Sequence, residues 1–155
     1  MNVSDHGLEL LMEREGKRNA AYLDSRGIPT IGIGHTGPEV HMGLVWTDEQ
    51  VKAALARDLA AFEHAVDVCV GVPLEQYQFD ALVSFEFNAG KNALSAGNHG
   101  GPSGILRALN SGDYAGAARA FDNWHIPPEI AARRTAEREQ FKGTRFEARI
   151  EDLAA

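Results

Sequence analysis

The chain has 155 residues, of which 44% are hydrophobic and 24% charged, and its formal net charge is −7. This length suits one domain, and the composition is typical of a globular protein rather than a disordered one. An acidic chain is a poor candidate for nucleic-acid binding, so no such partner is expected. Cys69 is the only cysteine, which excludes an intramolecular disulfide.

A first helix is predicted near the N-terminus, from the capping residue Ser4 to the stop signal Gly16. Its apolar residues recur at spacings of three and four, which turns one helix face toward the core. Glu15 falls on this apolar face, whereas Glu13 falls on the polar face and should be solvated. A carboxyl group on an apolar face either pairs with a buried cation or is kept for chemistry. The apolar face comprises Leu8, Leu11, Met12 and Glu15.

The same N-terminal stretch, MNVSDHGLELLMEREGK, has neither the basic nor the apolar region of a signal peptide. Elsewhere no apolar run approaches the roughly 20 residues that a membrane-spanning helix needs. We therefore expect neither a cleaved leader nor an integral membrane segment.

Residues 19–37 predict short strands and turns. The sequence DSRG at 24–27 is a turn signal, and an extended stretch is expected from Thr30 to His35. In such a strand Thr30, Gly32 and Gly34 point one way, and the isoleucines between them point to the core with His35. The glycine face would carry no side chains, so a ligand could approach the backbone closely there, which makes Gly32 and Gly34 candidate substrate-binding residues.

The rest of the chain reads as helices. The capping-box pair Thr47 and Gln50 starts a helix of about twenty residues. Its apolar stripe is Val51, Ala54, Leu55, Leu59, Phe62 and Val66. A second helix is predicted over 75–88, with Phe79, Leu82, Val83 and Phe87 inward. After a loop at 95–104, helices are expected at 104–111, 113–123 and 128–142, and a short one to Leu153.

This order of elements predicts an α+β fold. A small N-terminal antiparallel β-sheet lobe, at about 16–46, would be joined by a long helix to a larger helical lobe. The helical lobe would comprise residues 47–155 and the N-terminal helix. The whole chain, 1–155, would form a single domain around a cleft.

Three side chains near the predicted hairpin suit glycosidic bond cleavage. This reaction usually needs one protonated carboxyl group and one ionised carboxylate. Burial against apolar groups favours the protonated form, which makes Glu15 the candidate acid. Asp24 lies in a polar turn and should stay ionised, and the hydroxyl of Thr30 can hold a water beside it. The alternative is a purely structural role, in which Asp24 and Thr30 only shape the turn.

The segment EGKRNAAYLDSRGIPTIGIGHTG resembles the active-site segment of the phage-type lysozymes, glycoside hydrolase family 24. The family pattern is Glu-Gly, an Asp nine positions after the Glu, a Thr six further on, and then Ile-Gly-x-Gly-His. Three later segments, 78–90, 105–114 and 133–141, follow in the family's order. The resemblance implies hydrolysis of the β-1,4 bond between N-acetylmuramic acid and N-acetylglucosamine in peptidoglycan, with inversion. An inverting site places its carboxyl groups roughly 6.5–9.5 Å apart.

The resemblance also implies roles for single residues. Glu15 would be the acid, while Asp24 and Thr30 would position the water. His35 would be structural and would pair with an aspartate, for which Asp58 is the match. Phe87 and Asn88 could line the cleft and bind N-acetyl groups, although helix packing is the alternative for both. Either Arg133 or Arg134 would approach Glu15.

The chain departs from the family pattern in two segments. The loop SAGNHGGPSG at 95–104 replaces the Ser-Thr-Leu sequence that leads into the next helix in the family. Pro127 and Pro128 replace a region that often contains Gly-Leu. The charge is also uneven, because residues 130–149 carry a net +3 and the rest carry −10. This basic stretch is expected to be a solvated helix face, or else a contact to an anionic envelope.

Three other functions compete with this interpretation. A zinc amidase would draw on Cys69 and on His35, His41, His99 and His125, but their spacings match no compact ligand motif. A lytic transglycosylase needs only one glutamate and leaves anhydro ends. A peptidoglycan-binding module or an inactive paralogue would bind the wall without cutting it. No metal and no cofactor are expected.

The expected partner is the glycan strand of peptidoglycan, and the protein is expected to be a monomer. The resemblance to endolysins implies accumulation in the host cytoplasm and dependence on a holin for access to the periplasm and cell wall. A bacteriophage or a prophage would be the source.

Overall fold

The computed structural model describes residues 1–143, which divide into two compact units. The sheet unit is Ser4–Ala60, and the helical unit combines Met1–Val3 with the described residues 61–143. The helices are α1 (Asp5–Glu15), α2 (Asp48–Asp58), α3 (Ala60–Cys69), α4 (Gln76–Ala89), α5 (Ala93–Ala96), α6 (Gly104–Asn110), α7 (Tyr114–Ala120) and α8 (Ala131–Lys142). The strands are β1 (Arg18–Leu23) and β2 (Pro29–Gly32), and two 3₁₀ helices span Phe121–Asn123 and Pro128–Ile130.

The predicted α+β class is confirmed, because a two-stranded antiparallel sheet stands beside a largely helical chain. The sequence assigns the N-terminal helix and residues 47–60 to the helical lobe, whereas in the structure α1 and α2 fall in the sheet unit. The single-domain assignment of 1–155 stays a prediction. Within residues 1–143 no helix has the length and apolar character needed to cross a membrane.

Helix α1 begins and ends as its capping residues predict. The Ser4 side chain accepts a hydrogen bond from the Gly7 amide at 3.0 Å, and Gly16 ends the helix with a φ of 78°. Leu8 and Leu11 are buried, while Glu13 is exposed. The predicted orientation of the helix is therefore confirmed, and it leaves Glu15 half-buried at the last position of α1.

The predicted strand from Thr30 to His35 is wrong beyond Gly32. Ile31 and His35 exchange both backbone hydrogen bonds at 2.9 Å, so the chain reverses in a tight turn between them. Gly32 and Gly34 both have a φ of 67°, which L side chains rarely adopt. The alternating Ile-Gly pattern thus encodes a turn rather than an extended face. Ile31 and Ile33 are nevertheless buried, as predicted.

The helix predicted from Thr47 is present, but it is divided. Thr47 and Gln50 form the expected reciprocal capping box, with hydrogen bonds of 2.8 and 3.2 Å. The helix is interrupted at Leu59, whose ψ of −13° departs from the helical value near −42° and gives two helices, α2 and α3. Leu59 itself is buried, so the break leaves the predicted apolar stripe intact there.

Helix α4 forms the centre of the helical unit and packs against α8. Phe79, Leu82 and Val83 are buried, as predicted. Phe87 was expected to point inward with them, but it is only half-buried, and Phe85 occupies the core instead. Because residues 79–86 are buried without interruption, the one-sided periodicity used for the prediction does not apply to this helix.

The later helices follow their caps. Ser103 caps α6 and Asp113 caps α7, each by accepting from a backbone amide three residues on. The helix predicted at 113–123 finishes as a 3₁₀ turn, and the one at 128–142 begins with one. Helix α5 was not predicted, because four residues are too few for a periodic pattern. The predicted helix to Leu153 and the basic residues beyond 143 lie outside the described residues.

Glu86 is a buried carboxyl group within α4. Its Oε1 accepts from the Leu94 amide at 3.2 Å, and its Oε2 has no hydrogen-bond partner among residues 1–143. Burial raises the pKa of Glu86 to about 7, against the smaller opposing effects of the Leu94 amide and Lys91. Near neutral pH, therefore, Glu86 retains its proton in the folded protein, whereas it is ionised in the unfolded chain.

We expect Glu86→Gln to stabilise the protein at pH 8 and to have little effect at pH 4. When folding raises the pKa of a carboxyl group, the protein loses stability as pH rises from the unfolded pKa, near 4.3, to the folded pKa. The amide of glutamine does not titrate, so the variant does not lose stability in this way. The gain is of the order of 3 kcal/mol in the free energy of unfolding. Urea unfolding at several pH values measures it, and the exposed Glu129→Gln is the control. Equal pH dependence in Glu86→Gln and wild type would refute the prediction.

Candidate active site

Asp24 opens the turn between β1 and β2. Its Oδ1 accepts two backbone hydrogen bonds, from Arg26 at 2.8 Å and from Ile28 at 2.9 Å. Its Oδ2 lies 3.7 Å from the guanidinium of Arg26. Two amides on one oxygen hold the carboxylate in a single orientation, as the turn sequence DSRG predicts.

Thr30 lies directly across the sheet, paired with Tyr22 on β1. Its hydroxyl donates to the Ile28 carbonyl at 2.9 Å, and the residue is buried. Since the hydroxyl proton is committed to that carbonyl, the oxygen's lone pairs are left to accept. The backbone of Ile28 thus contacts both side chains: its N–H donates to Asp24 and its C=O accepts from Thr30.

The charge state of Asp24 follows from these contacts. The Ile28 amide has the largest effect and holds the pKa of the Asp24 carboxyl below its usual range, with further help from the amide and guanidinium of Arg26. Partial burial opposes this shift but is outweighed. Asp24 is therefore ionised at neutral pH, as a group that orients water or stabilises positive charge must be.

Glu15 lies in the same unit as Asp24 and Thr30, at the end of α1. Gly16 follows at once, and its amide donates to the Met12 carbonyl at 3.1 Å, which fixes the helix end. Regular helical backbone precedes Glu15, so the point where its side chain leaves the main chain is fixed. The three predicted catalytic side chains are thus placed by a helix end, a turn and a strand.

The predicted open face of Gly32 and Gly34 does not exist. Gly32 is buried, and a Cβ there would contact Val51 at 3.4 Å and Trp46 at 3.5 Å. Gly34 is exposed on the far side of the turn, with nothing within 4 Å of a Cβ. Their assignment as substrate-binding residues stays a prediction, but the reason given for it is wrong.

His35 sits between two carboxylates. Its Nδ1 is 2.7 Å from Asp58 Oδ2, which is the predicted pair, and its Nε2 is 2.6 Å from Glu39 Oε1. Burial disfavours the charged ring, but the hydrogen bonds to Glu39 and Asp58 outweigh it and raise the pKa of His35. With both ring nitrogens facing carboxylates, the imidazolium donates to each. Sequence reasoning missed Glu39, because an i+4 spacing indicates a contact only within a helix and residues 35–39 are not helical.

In the helical unit, the predicted residues Phe87 and Asn88 lie at the end of α4. The Phe87 ring meets Phe62 edge-on, with centroids 5.3 Å apart. Asn88 is exposed, and its Oδ1 accepts from Arg134 Nη2 at 2.5 Å. Arg133 and Arg134 both donate to the buried Glu137, at 2.9 Å and 2.7 Å respectively.

Comparison with known proteins places this arrangement in a family. The family model described as phage lysozyme matches residues 12–137, which include Glu15, Asp24, Thr30 and His35. The endolysin of Salmonella phage P22 is 42% identical over 149 residues, covering 91% of this chain and 98% of its own. The chain belongs to the phage lysozyme family.

Solved structures agree with this membership. A point mutant of P22 lysozyme superposes with a TM-score of 0.82 at 41% identity, covering 91% of this chain and 98% of its own. The muramidase domain of SpmX from Asticaccaulis excentricus gives a TM-score of 0.75 at 38% identity, covering 90% and 96%. As a member of this family the chain is a lysozyme-type glycoside hydrolase, as its motif predicts.

The ligand set considered for a zinc amidase does not assemble in the described part of this phage lysozyme family member. Among residues 1–143, no three His, Cys, Asp or Glu side chains are grouped so as to hold a metal ion. Cys69 is half-buried on α3, and burial raises the pKa of its thiol to about 11. It is therefore a thiol, not a thiolate, at neutral pH.

We expect Asp58→Asn to lower the pKa of His35, because the amide removes one of the two charges that favour the imidazolium. Since the folded pKa is raised, these contacts stabilise the protein fully below the ordinary histidine pKa, near 6.5. That stabilisation is lost as pH rises through the folded value. An NMR titration of the ring protons measures the shift, with Glu39→Gln as the parallel variant. An unchanged titration in both variants would contradict the assigned contacts.

Proposed function

We propose that the chain is an endolysin that hydrolyses the β-1,4 bond between N-acetylmuramic acid and N-acetylglucosamine in peptidoglycan, for lysis of a bacterial host. The observation that carries the proposal is the backbone of Ile28, whose N–H holds the ionised Asp24 and whose C=O holds the Thr30 hydroxyl. Family membership and the P22 endolysin at 42% identity support the choice of substrate.

In the proposed mechanism the protonated Glu15 donates to the leaving glycosidic oxygen. A water donates one hydrogen to Asp24 and the other to Thr30, whose hydroxyl proton is held by the Ile28 carbonyl. Asp24 takes the proton as the water attacks the anomeric carbon from the face opposite the leaving group. Such a displacement inverts the anomeric configuration. Asp24 would also stabilise the positive charge that develops on the sugar ring.

Further residues are proposed to bind or support. Asn88 and Phe87 would bind the glycan at the end of α4, and the exposed Gly34 backbone is the accessible part of the glycine pair. His35 and Asp58 would hold the turn that follows β2 and would not touch the substrate. No cofactor takes part in this scheme.

Digestion of purified peptidoglycan in H₂¹⁸O tests the proposal. We expect new muramic acid reducing ends that carry ¹⁸O, released first as the inverted anomer in an NMR time course. Anhydro ends without ¹⁸O would instead identify a lytic transglycosylase. Cleaved stem peptides would identify an amidase, and wall binding without product would identify an inactive binding module.

We further propose that the protein acts as a monomer, accumulates in the host cytoplasm and reaches the periplasm and cell wall when a holin opens the membrane. Expression with and without a co-expressed holin tests this order. Lysis only with the holin is expected, and lysis of equal speed without it would refute the dependence. Gel filtration with light scattering tests the monomer.

A further inference from the structure

The Glu86 side chain connects helix α4 to the chain that follows it. Its Oε1 accepts a hydrogen bond from the Leu94 amide, in α5, at 3.2 Å. The Leu94 carbonyl in turn accepts from the Ser103 amide at 2.8 Å, and the Ser103 side chain caps α6. A series of contacts therefore runs from the Glu86 carboxyl group through α5 to the start of α6.

This carboxyl group is shielded from water and only half satisfied. Glu86 is 0% exposed, and its Oε2 has no hydrogen-bond partner among residues 1–143. The protonated carboxyl group is neutral, so its burial carries a moderate penalty. An ionised carboxylate at the same place is a buried charge with one donor, the Leu94 amide, and its burial costs much more free energy.

The neighbouring elements offer an ionised Glu86 little compensation. On the α3 side, the Cys69 thiol is neutral at neutral pH, and His64 is exposed on the pocket that Cys69 and Lys91 also line. On the other side, the charged residues of α8 bind one another and other positions of α4; they are Arg133, Arg134 and Glu137. Among the described residues, Lys91 is the one cation that acts on Glu86, and it is exposed.

Helix α5 and the segment after it are the part of this region that opens most easily. The helix has four residues, of which Ala93 and Leu94 are buried, and residues 98–100 are exposed. Short segments with few buried apolar side chains open locally at a lower free energy than the core. An opening that separates Leu94 from Glu86 admits water to the carboxyl group and restores its ordinary pKa.

We propose that Glu86 is a pH-sensitive conformational switch: its protonated form keeps α5 and residues 97–103 packed on α4, and its ionised form favours an open state of that segment. Ionisation is easier in the open state, so rising pH shifts the equilibrium toward opening. The segment also lines a pocket of about 360 Å³ with Arg107 and Trp124, whose shape would follow the same proton. The proposal does not depend on the proposed glycan hydrolysis.

Amide hydrogen exchange, measured by NMR on the whole protein between pH 5 and pH 7, tests the switch. Protection factors, which are corrected for the intrinsic pH dependence of exchange, report the opening equilibrium. We expect those of the Leu94 and Ser103 amides to fall about fortyfold over this range, because the pKa of Glu86 would be near 4.3 in the open state and is about 7 in the closed one.

Dilute urea separates local opening from global unfolding. A local opening exposes little surface, so exchange at Leu94 and Ser103 should be insensitive to low urea concentrations. The amide of Leu82, which lies in the core of α4, should be better protected and should exchange faster as urea is added.

Glu86→Gln is the decisive variant, because its side chain keeps an acceptor for the Leu94 amide and cannot ionise. We expect the protection factors of Leu94 and Ser103 to vary by less than about twofold from pH 5 to pH 7 in this variant. The matched control is Glu63→Gln, which changes another buried carboxyl group that accepts a backbone amide, that of Val3 at 2.7 Å. The control should keep the wild-type pH dependence at both amides.

A ¹³C NMR titration of the Glu86 carboxyl group in the wild type provides a second test, which stands even if Glu86→Gln does not fold. We expect a midpoint of about 7, and a midpoint near 4.3 would overturn the inference. Equal pH dependence of protection in wild type and Glu86→Gln would also overturn it. So would exchange of Leu94 and Ser103 only together with the core amides.

Discussion

Glu15→Gln is expected to lose about a thousandfold of the muramidase activity while keeping the fold. The amide has the size of the carboxyl group but cannot donate the proton that the leaving sugar oxygen needs, and a general acid contributes 10²–10⁴-fold in rate. The measurement is the rate of new reducing ends from purified peptidoglycan at a fixed enzyme concentration.

The matched control for this change is Glu13→Gln. Glu13 lies two residues earlier on the same helix and is exposed, whereas Glu15 is half-buried at the helix end. We expect Glu13→Gln to stay within twofold of wild type, since a solvated surface carboxylate has no part in the reaction. Equal activity in Glu15→Gln and Glu13→Gln would remove Glu15 from the mechanism.

Asp24→Asn is expected to lower kcat by two to three orders of magnitude with little change in stability. The amide oxygen can still accept from Arg26 and Ile28, so the turn is kept, while the negative charge and the basic oxygen are lost. Electrostatic groups of this kind contribute 10²–10³-fold when one is removed. Single-turnover digestion and thermal unfolding separate the two effects.

Two comparisons sharpen the Asp24 test. Asp113→Asn makes the same change at an exposed cap that also accepts a backbone amide, and it should leave activity unchanged. Thr30→Val removes the donor to the Ile28 carbonyl and should lower kcat, while Thr30→Ser should restore most of it. If Asp24→Asn loses no more activity than Asp113→Asn, Asp24 acts only in the turn.

The local signals in the sequence were reliable where the structure depends on neighbours in the chain. Capping by Ser4 and Thr47, the end of α1 at Gly16 and the turn at Asp24 all involve groups within four residues of each other. Helical phase alone separated Glu15 from Glu13, and the burial of the two residues agrees with it. The His35–Asp58 contact came from family resemblance, since no local pattern joins residues 23 apart.

The errors have a common physical origin. The glycines at 32 and 34 were assigned to a strand because period-two alternation does not distinguish a strand from a turn that reverses after two residues. Phe87 was placed inward because periodicity assumes one buried face, and α4 is buried nearly all round. Glu39 was missed because its contact with His35 forms only when the turn brings the two side chains together.

The sequence by itself determined the fold class, the helix ends and the nature of the three candidate catalytic groups, because these follow from local backbone chemistry and from a motif of fixed spacing. Only the tertiary structure decided that Ser84 donates to Glu137 and that Arg134 donates to Asn88. The second contact joins residues 46 apart in sequence, and both require the geometry of a hydrogen bond. Such geometry arises when elements pack, and no composition or periodicity encodes it.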